Sequence, residues 1–140
     1  MTNRNLAYIV KEQNPLTMAA GETVQNACRR MAERHVGAVL VVDDQQRLVG
    51  IFTGRDAVCA HAECKHAAET TLADVMTPNP DTIAPERNAI DALRAMSDRG
   101  FRHLPIVKDG KIVGIVSRGD FKGMEFDRLE EETHLWERIG

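Results

Sequence analysis

The sequence has little of several features that would narrow its function. No apolar run approaches the roughly 20 residues of a membrane-spanning helix, and the N-terminal segment lacks the apolar stretch of a signal peptide. Aromatic residues make up only 4% of the 140 residues, and the three cysteines show no disulfide spacing. These absences favour a cytosolic protein in a reducing compartment, with no membrane span.

The sequence also has fewer positively charged residues than negatively charged ones. The chain has 18 Lys and Arg residues against 21 Asp and Glu residues, which gives a formal net charge of −3. Nucleic-acid-binding proteins usually present a basic face, so we expect no nucleic acid partner. The remaining composition, 43% hydrophobic and 28% charged, is that of an ordinary globular domain.

The sequence contains an internal repeat, in which one pattern of residues occurs twice. Residues 14–56 and 79–120 both begin Asn-Pro-x-Thr and both end in Gly-Ile-x-(Thr/Ser)-x-x-Asp. The offset is 65 positions, and it falls to 64 after one deletion near Gly110. Each half is too small to bury a core alone, so we expect the two to share one around a pseudo-twofold axis.

Each copy predicts the element order β-α-β-β-α, from apolar residues at helical spacing between short extended or fully apolar runs. We expect helices over 23–35 and 87–99, and strands at 16–18, 38–42, 48–53, 82–83, 104–107 and 112–117. The predicted division is a first repeat with its N-terminal segment (1–66), a linker (67–78), a second repeat (79–123) and an acidic, helical tail (124–140).

The most specific feature of each copy is the loop Gly-x-x-(Thr/Ser)-x-x-Asp, at 50–56 and at 114–120. The hydroxyl falls where the strand gives way to a helix, and the aspartate lies in the first helical turn. Free N–H groups and the positive end of the helix dipole point to the same place. A carboxylate there can accept hydrogen bonds from the vicinal hydroxyls of a ribose, while the helix start and nearby cations can hold a phosphate.

The same residues have a purely structural interpretation. A hydroxyl residue three positions before an acidic residue is a common helix-capping pair, so Thr53 with Asp56 and Ser117 with Asp120 can be capping pairs and nothing more. The duplication within a matched repeat favours a ligand site, and both interpretations stay open at this point.

The loops, together with the runs Val75-Met76-Thr77 and Arg102-His103-Leu104-Pro105-Ile106-Val107, carry a resemblance. Over about residues 8–123 the chain resembles a stand-alone pair of cystathionine-β-synthase (CBS) domains, the Bateman module. The resemblance implies a mixed α/β (α+β) fold with two repeats related by a pseudo-twofold and their sheets packed together. It also implies two clefts for adenosine-containing ligands (AMP above all, or ADP, ATP, NAD(H) or S-adenosylmethionine), a regulatory role, no catalysis and no required cofactor.

By resemblance, each cleft combines the loop of one repeat with strand starts of the other, and apolar walls would sandwich the adenine. No catalytic residue or metal ligand is implied. The first cleft would be formed by Thr53, Arg55, Asp56, Asp81, Thr82, Phe101, Arg102, His103, Leu104 and Pro105, and the second by Leu16, Thr17, Val36, Gly37, Ala38, Ser117, Arg118 and Asp120.

The two implied clefts are unequal. Arg102 and His103 would bring one or two cations to a phosphate in the first cleft, whereas the matching Gly37 and Ala38 bring none to the second. Leu40 also departs from the family pattern, which has proline there, as the second repeat does. We therefore expect the first cleft to prefer charged nucleotides. A solvated surface pair is the alternative for Arg102 and His103.

Two other signals compete with the nucleotide sensor. Cys59, His61, Cys64 and His66 have spacings that zinc sites use, but on the helix that this alanine-rich segment predicts, the four do not converge. No set of nucleophile, base and orienting residue emerges, so we predict no enzyme. The alternatives that stay open are a dimerisation module with empty clefts and a metal or redox sensor built on residues 59–66.

The expected partners are an adenine nucleotide, a second copy of the chain and a regulated protein that the sequence does not specify. A homodimer formed through the helices is expected because the apolar helix stripes of so small a unit need covering. In the tail, Trp136 could anchor a partner or fold back on its own domain.

Overall fold

Two compact units make up the described part of the protein, residues 4–121 of a computed structural model. The first-repeat unit comprises residues 14–81 and 109–112, and the second-repeat unit comprises 4–13, 82–108 and 113–121. The predicted tail over 124–140 lies outside the described residues. Along the chain the elements are α1 (Leu6–Ile9), β1 (Thr17–Ala19), α2 (Val24–Arg34), β2 (Ala38–Val42), β3 (Leu48–Thr53), α3 (Gly54–Ala62), α4 (Leu72–Val75), β4 (Thr77–Pro78), α5 (Ala89–Arg99), β5 (His103–Lys108), β6 (Lys111–Ser117) and a 3₁₀ turn (Arg118–Asp120).

The first-repeat unit is built on a four-stranded sheet in the order β1-β2-β3-β4. Strand β1 runs parallel to β2, and the other two pairs are antiparallel. All five residues of β2 are buried, as an uninterrupted apolar run predicts. Helix α2 packs its apolar stripe of Val24, Ala27 and Met31 into the same core as Phe52 of β3.

The second-repeat unit repeats this plan with a shorter first strand. Strands β5 and β6 pair, and Ile83 forms an isolated parallel bridge with Ile106, which matches the pairing of Met18 with Val41 in the first copy. In the first copy, Leu40 N–H donates to Leu16 C=O at 2.9 Å. The residue matching Leu40 is Pro105, which has no N–H to donate, so this ladder bond cannot form in the second copy.

The N-terminal segment differs from the sequence-based division, which places it with the first repeat. Residues 4–13 belong to the second-repeat unit. Leu6 and Val10 are almost fully buried in the core that contains α5. The Leu6 N–H donates to Arg87 C=O at 2.9 Å, and the Ala7 N–H donates to Pro85 C=O at 3.0 Å. The cause is the apolar face of α1, which must bury Leu6 and Val10 against another element.

The predicted linker over 67–78 is also structured. It contains α4, whose Leu72 is fully buried, and β4, which pairs with β3 at Gly50 and Ile51. Both belong to the first-repeat unit. Leu72 and Met76 lie one helical turn apart and cover that core, which is why the segment does not remain a loop.

Helices α1 and α4 are counterparts that extend the repeat towards the N-terminus. Both begin Leu-Ala, and the residues after them, Val10 and Met76, lie against the matching strand glycines. A Cβ on Gly114 would come within 2.7 Å of the Cβ of Val10, and a Cβ on Gly50 would come within 2.4 Å of the sulfur of Met76. Each glycine therefore permits the close approach of a helix end to its strand.

The structure describes the second helix of the first repeat at greater length than the matching segment of the second repeat. Helix α3 (Gly54–Ala62) follows the cap residue Thr53, so it starts at the repeated loop as predicted. Where a matching helix is predicted from Ser117, the described residues contain the 3₁₀ turn followed by the buried Phe121. Residues after 121 lie outside the described part of the chain.

Helices α2 and α5 end differently, and this generates a prediction on stability. The cap of α2 is His35, an exposed residue with φ 54°, whereas the matching cap of α5 is Gly100, with φ 75°. Glycine adopts this left-handed conformation without the steric cost that a side chain carries. We expect His35→Gly to raise the free energy of unfolding by about 0.5–1 kcal/mol, measured by urea denaturation.

Gly100→Ala is the matched control and should lower the free energy of unfolding by about 1 kcal/mol or more. A His35→Gly variant less stable than the parent would contradict this explanation of the α2 cap.

Candidate functional site

The first repeated loop, residues 50–56, forms a complete capping box at the junction of β3 and α3. The Asp56 N–H donates to Thr53 Oγ1 at 3.3 Å, and the Thr53 N–H donates to Asp56 Oδ2 at 2.9 Å. The Thr53 hydroxyl also donates to Asp56 Oδ2, at 3.1 Å. These reciprocal bonds satisfy backbone donors at the start of α3, so the structural interpretation of the pair is correct as far as it goes.

The second loop, residues 114–120, repeats this geometry. The Ser117 N–H donates to Asp120 Oδ2 at 2.6 Å, and the Ser117 hydroxyl donates to the same oxygen at 3.3 Å. The two copies therefore agree in side-chain geometry as well as in sequence.

Each of these carboxylates uses only one of its oxygens in the cap. Among residues 4–121, every hydrogen bond to the side chains of Asp56 and Asp120 goes to Oδ2. Asp56 is half-buried and Asp120 is exposed, so Oδ1 of each remains available as an acceptor. The arrangement can cap a helix and accept a hydrogen bond from a ligand at the same time.

Capping boxes also occur where no loop repeats. Thr71 pairs with Asp74 at the start of α4, and Asn88 pairs with Asp91 at the start of α5. A capping box alone therefore does not identify a ligand site. What distinguishes the two repeated loops is their position directly after a sheet strand that contains glycine.

Each loop is tied to the residues before the second strand of its own repeat. The Gly54 N–H donates to Gly37 C=O at 3.1 Å, and the Arg118 N–H donates to Arg102 C=O at 3.3 Å. Ala38 also pairs directly with Thr53 across the sheet. Within each unit the structure thus brings the hydroxyl and carboxylate beside the residues that begin β2 or β5, while the combination of residues across the repeats remains a prediction.

The other residues of the predicted clefts vary in exposure. Leu16 is buried and Thr17 pairs with Leu40, so β1 offers backbone groups more than side chains. Val36 is 37% exposed, which is unusual for an apolar residue here and suits a wall for an aromatic ring. Arg55, Asp81, Thr82 and Arg102 are exposed, Phe101 and Arg118 are half-buried, and Ala38, Leu104 and Pro105 are buried.

Of the one or two cations expected from Arg102 and His103, His103 does not supply one at neutral pH. Burial lowers its pKa and outweighs the opposing effect of the Asp120 carboxylate, and the Arg102 guanidinium lowers the pKa further. The imidazole is therefore neutral at pH 7, and the permanent positive charge of the Arg102-His103 pair belongs to Arg102.

The competing metal signal gains no support in the described part of the chain. No group of three or more His, Cys, Asp and Glu side chains within residues 4–121 could hold a metal ion. Cys59 lies on α3 and Cys64 follows its end, and both are exposed. Over the same residues, no helix combines the length and apolar character needed to cross a membrane.

The fold and the two repeated loops are features that this chain shares with a known protein family. A model of the CBS domain matches the chain twice, over residues 9–63 and 72–124, and the chain belongs to the CBS domain family. Both matched segments begin near the short helices α1 and α4, a little before the repeat detected in the sequence. The resemblance drawn from the loops is thereby confirmed.

Two relatives show how widely the pair occurs. CBS domain-containing protein CBSCBSPB2 of Arabidopsis thaliana is 42% identical over 102 residues, which cover 72% of this chain and 19% of that protein. An uncharacterized protein of Acidianus ambivalens is 38% identical over 119 residues, which cover 79% of this chain and 71% of that one. This chain spans about a fifth of the length of CBSCBSPB2 and of its Arabidopsis relative CBSCBSPB1.

Solved structures agree with the mixed α/β fold. The CBS domain pair of protein MJ0100, in complex with 5′-methylthioadenosine and S-adenosyl-L-methionine, is 25% identical with a TM-score of 0.73, covering 87% of this chain and 92% of that one. A CBS domain protein of Pyrobaculum aerophilum complexed with AMP has a TM-score of 0.82 at 20% identity, covering 91% and 98% of the two chains, and this likeness bears on the fold alone. The predicted fold class is confirmed.

The half-buried His103 should make the stability of the fold depend on pH. Because burial lowers the pKa of the folded-state imidazole below its ordinary value of 6.5, the unfolded chain binds this proton more readily. The contribution of His103 is therefore complete above about pH 6.5 and is lost as the pH falls towards the folded-state pKa. We expect His103→Gln to lose less free energy of unfolding than the parent between about pH 7.5 and about pH 5.5.

Urea denaturation at both pH values measures this difference, and His66→Gln, at an exposed position, controls for the loss of a histidine as such. Identical pH dependence of the parent and His103→Gln would contradict the assigned effect of burial.

Proposed function

We propose that the chain is a non-catalytic regulatory module that binds an adenosine-containing ligand. The observation that carries the proposal is the duplicated loop in which a carboxylate caps the helix through Oδ2 and keeps Oδ1 available, at Asp56 and at Asp120. A ribose presents two adjacent hydroxyl donors, which a carboxylate oxygen at a helix start is suited to accept.

Membership of the CBS domain family supports this ligand class. The CBS domain pair of MJ0100 holds two adenosine derivatives, neither of which carries a phosphate, in a fold that superimposes on most of this chain. We infer an adenosine-type ligand for this chain, with AMP as the first candidate, and with the residues of the two implied clefts as its contacts. The ribose would lie at Asp56 in one cleft and at Asp120 in the other.

The regulatory mechanism that we propose is a population shift. A ligand that binds one arrangement of the protein more tightly than another favours that arrangement by its difference in binding free energy. A partner that recognises the favoured arrangement then responds to the ligand concentration. Such a module needs no catalytic group.

Replacing the two carboxylates by amides tests the proposal without removing the caps. Asn keeps one oxygen acceptor for the cap but loses the charge and the second acceptor oxygen. We expect Asp56→Asn and Asp120→Asn each to weaken AMP binding at one cleft by about 1.5–3 kcal/mol per charge-assisted bond lost, roughly 10–150-fold in Kd, by calorimetry.

Asp74→Asn is the matched control, because Asp74 forms a capping box with Thr71 outside the repeated loops. It should bind AMP as the parent does. If the parent binds neither AMP, S-adenosylmethionine nor adenosine, or if the double variant of Asp56 and Asp120 binds like the parent, the proposed function is wrong.

We also propose a homodimer with α3 in its interface. Val58, on α3, is 69% exposed, and an apolar side chain at such a position is stabilised when a second copy covers it. We expect Val58→Asp to shift the protein towards the monomer, measured by light scattering at micromolar concentration. Gln25→Asp, at an exposed position on α2, is the control; a monomeric parent would rule the dimer out.

A further inference from the structure

Arg4 joins the N-terminal segment to the loop that carries Asp120. Its guanidinium Nη2 donates to the Asp120 C=O at 2.9 Å, and both residues belong to the second-repeat unit. The carboxylate of the same aspartate accepts from the Ser117 N–H at 2.6 Å. Asp120 is therefore held at its side chain by the cap and at its main chain by Arg4.

The backbone around Arg4 is itself anchored within that unit. The Ala89 N–H, at the start of α5, donates to Arg4 C=O at 2.6 Å. The next residue, Asn5, forms an antiparallel bridge with Asn88, and its side-chain amide donates to Glu86 C=O at 3.2 Å. An arginine whose main chain is fixed in this way loses less conformational freedom when its guanidinium makes a hydrogen bond.

The first repeat has the same backbone contact but a different side chain. Thr70 takes the place of Arg4, because its C=O accepts from the Val24 N–H at 2.9 Å as Arg4 C=O accepts from Ala89. In that repeat Asp56 lies inside the first turn of α3, where a main-chain carbonyl accepts from the N–H four residues further along the helix. From this position, a guanidinium bond to the repeated loop is thus possible in the second repeat only.

The sequence of the second loop gives its backbone more freedom than that of the first. The residue before the aspartate is Gly119, whereas in the first loop it is Arg55. Glycine loses more conformational freedom on ordering than any other residue. The bond from the Phe121 N–H to Arg118 C=O, which closes the turn, is also long at 3.4 Å. An added bond at the Asp120 C=O therefore restricts a turn that its own backbone holds weakly.

We propose that Arg4 is a positioning residue that keeps the Asp120 carboxylate in place for the adenosine ligand, an inference that rests on the proposed function. Its guanidinium fixes the end of the turn, so that Oδ1, the oxygen that the cap leaves available, has a defined position as an acceptor. A preorganised acceptor costs a ligand less to bind than a mobile one. The Asp56 loop, whose main chain continues into α3, does not depend on Arg4.

The test measures adenosine binding by calorimetry in two backgrounds, each with one loop weakened. Asp56→Asn leaves the Asp120 loop as the tighter one, and Asp120→Asn leaves the Asp56 loop. Adenosine carries no phosphate, so the loss of the arginine charge has little direct effect on the affinity. In the Asp56→Asn background we expect Arg4→Met to weaken binding about 3–10-fold, as for one lost hydrogen bond, and in the Asp120→Asn background to leave it unchanged.

Gly119→Ala separates positioning from direct contact with the ligand. Among the described residues, a Cβ on Gly119 would meet Ser117 Oγ at 3.9 Å, an ordinary contact, so alanine fits the turn and restricts it before the ligand binds. In the Asp56→Asn background it should recover most of the affinity that Arg4→Met loses. Arg87→Met removes an exposed arginine of the same unit and is the matched control, which should bind adenosine as its background does.

Three results would contradict the positioning role while leaving the proposed function intact. The first is an equal loss for Arg4→Met in both backgrounds, as a general loss of folding would give. The second is no loss in the Asp56→Asn background. The third is a loss that Gly119→Ala does not recover, which would indicate direct contact of Arg4 with the ligand. If the parent chain binds neither adenosine nor AMP, the proposed function fails and this inference fails with it.

Discussion

The close approach of a helix end to a strand glycine is the constraint on which both units depend. At Gly50 and at Gly114 an added Cβ would come within 3.0 Å of a neighbouring side chain. Because the glycine leaves this space, α4 with β4 can cover the edge of β3. In the other unit α1 leads to Gln13, whose amide donates to Ile115 C=O at 2.8 Å and accepts from the Ile115 N–H at 2.6 Å, which covers the edge of β6. The covered edge fixes where each strand ends. The hydroxyl residue that caps the following helix, Thr53 or Ser117, lies three residues after the strand glycine. The spacing of glycine, hydroxyl and aspartate is thus a packing requirement before it is a chemical one.

This origin explains how one carboxylate can have two roles. The Oδ2 atoms of Asp56 and Asp120 are held by the backbone and hydroxyl of Thr53 and Ser117, so the orientation of each carboxylate is fixed before any ligand arrives. A preorganised acceptor loses little freedom on binding, which favours affinity. The structural and ligand-binding interpretations of the loop are therefore complementary, because the cap is what aims the remaining oxygen.

Much of the fold could be predicted from the sequence, because the repeat doubles each signal. The apolar run at Ala38–Val42 and the helical stripe of α2 were sufficient for their elements. The short helix α1 was not predicted, since four residues give no readable periodicity. The Leu-Ala start that it shares with α4 is a signal that could have found it. Of the candidate site, the hydroxyl and aspartate pairs were predictable from spacing. The neutral state of His103 depends on its burial, which the sequence does not give.

The order of the units along the chain has a consequence for dissection of the protein. The short helix that precedes each repeat belongs to the unit of the other repeat: α1 to the second and α4 to the first. The sequence boundary and the folding boundary therefore do not coincide. A fragment cut between the repeats, before α4, would separate Leu6 and Val10 from α5, and Leu72 from the sheet of β3. Neither fragment would carry a whole core, so the two repeats, although similar enough to have arisen by duplication, are no longer interchangeable or separable pieces.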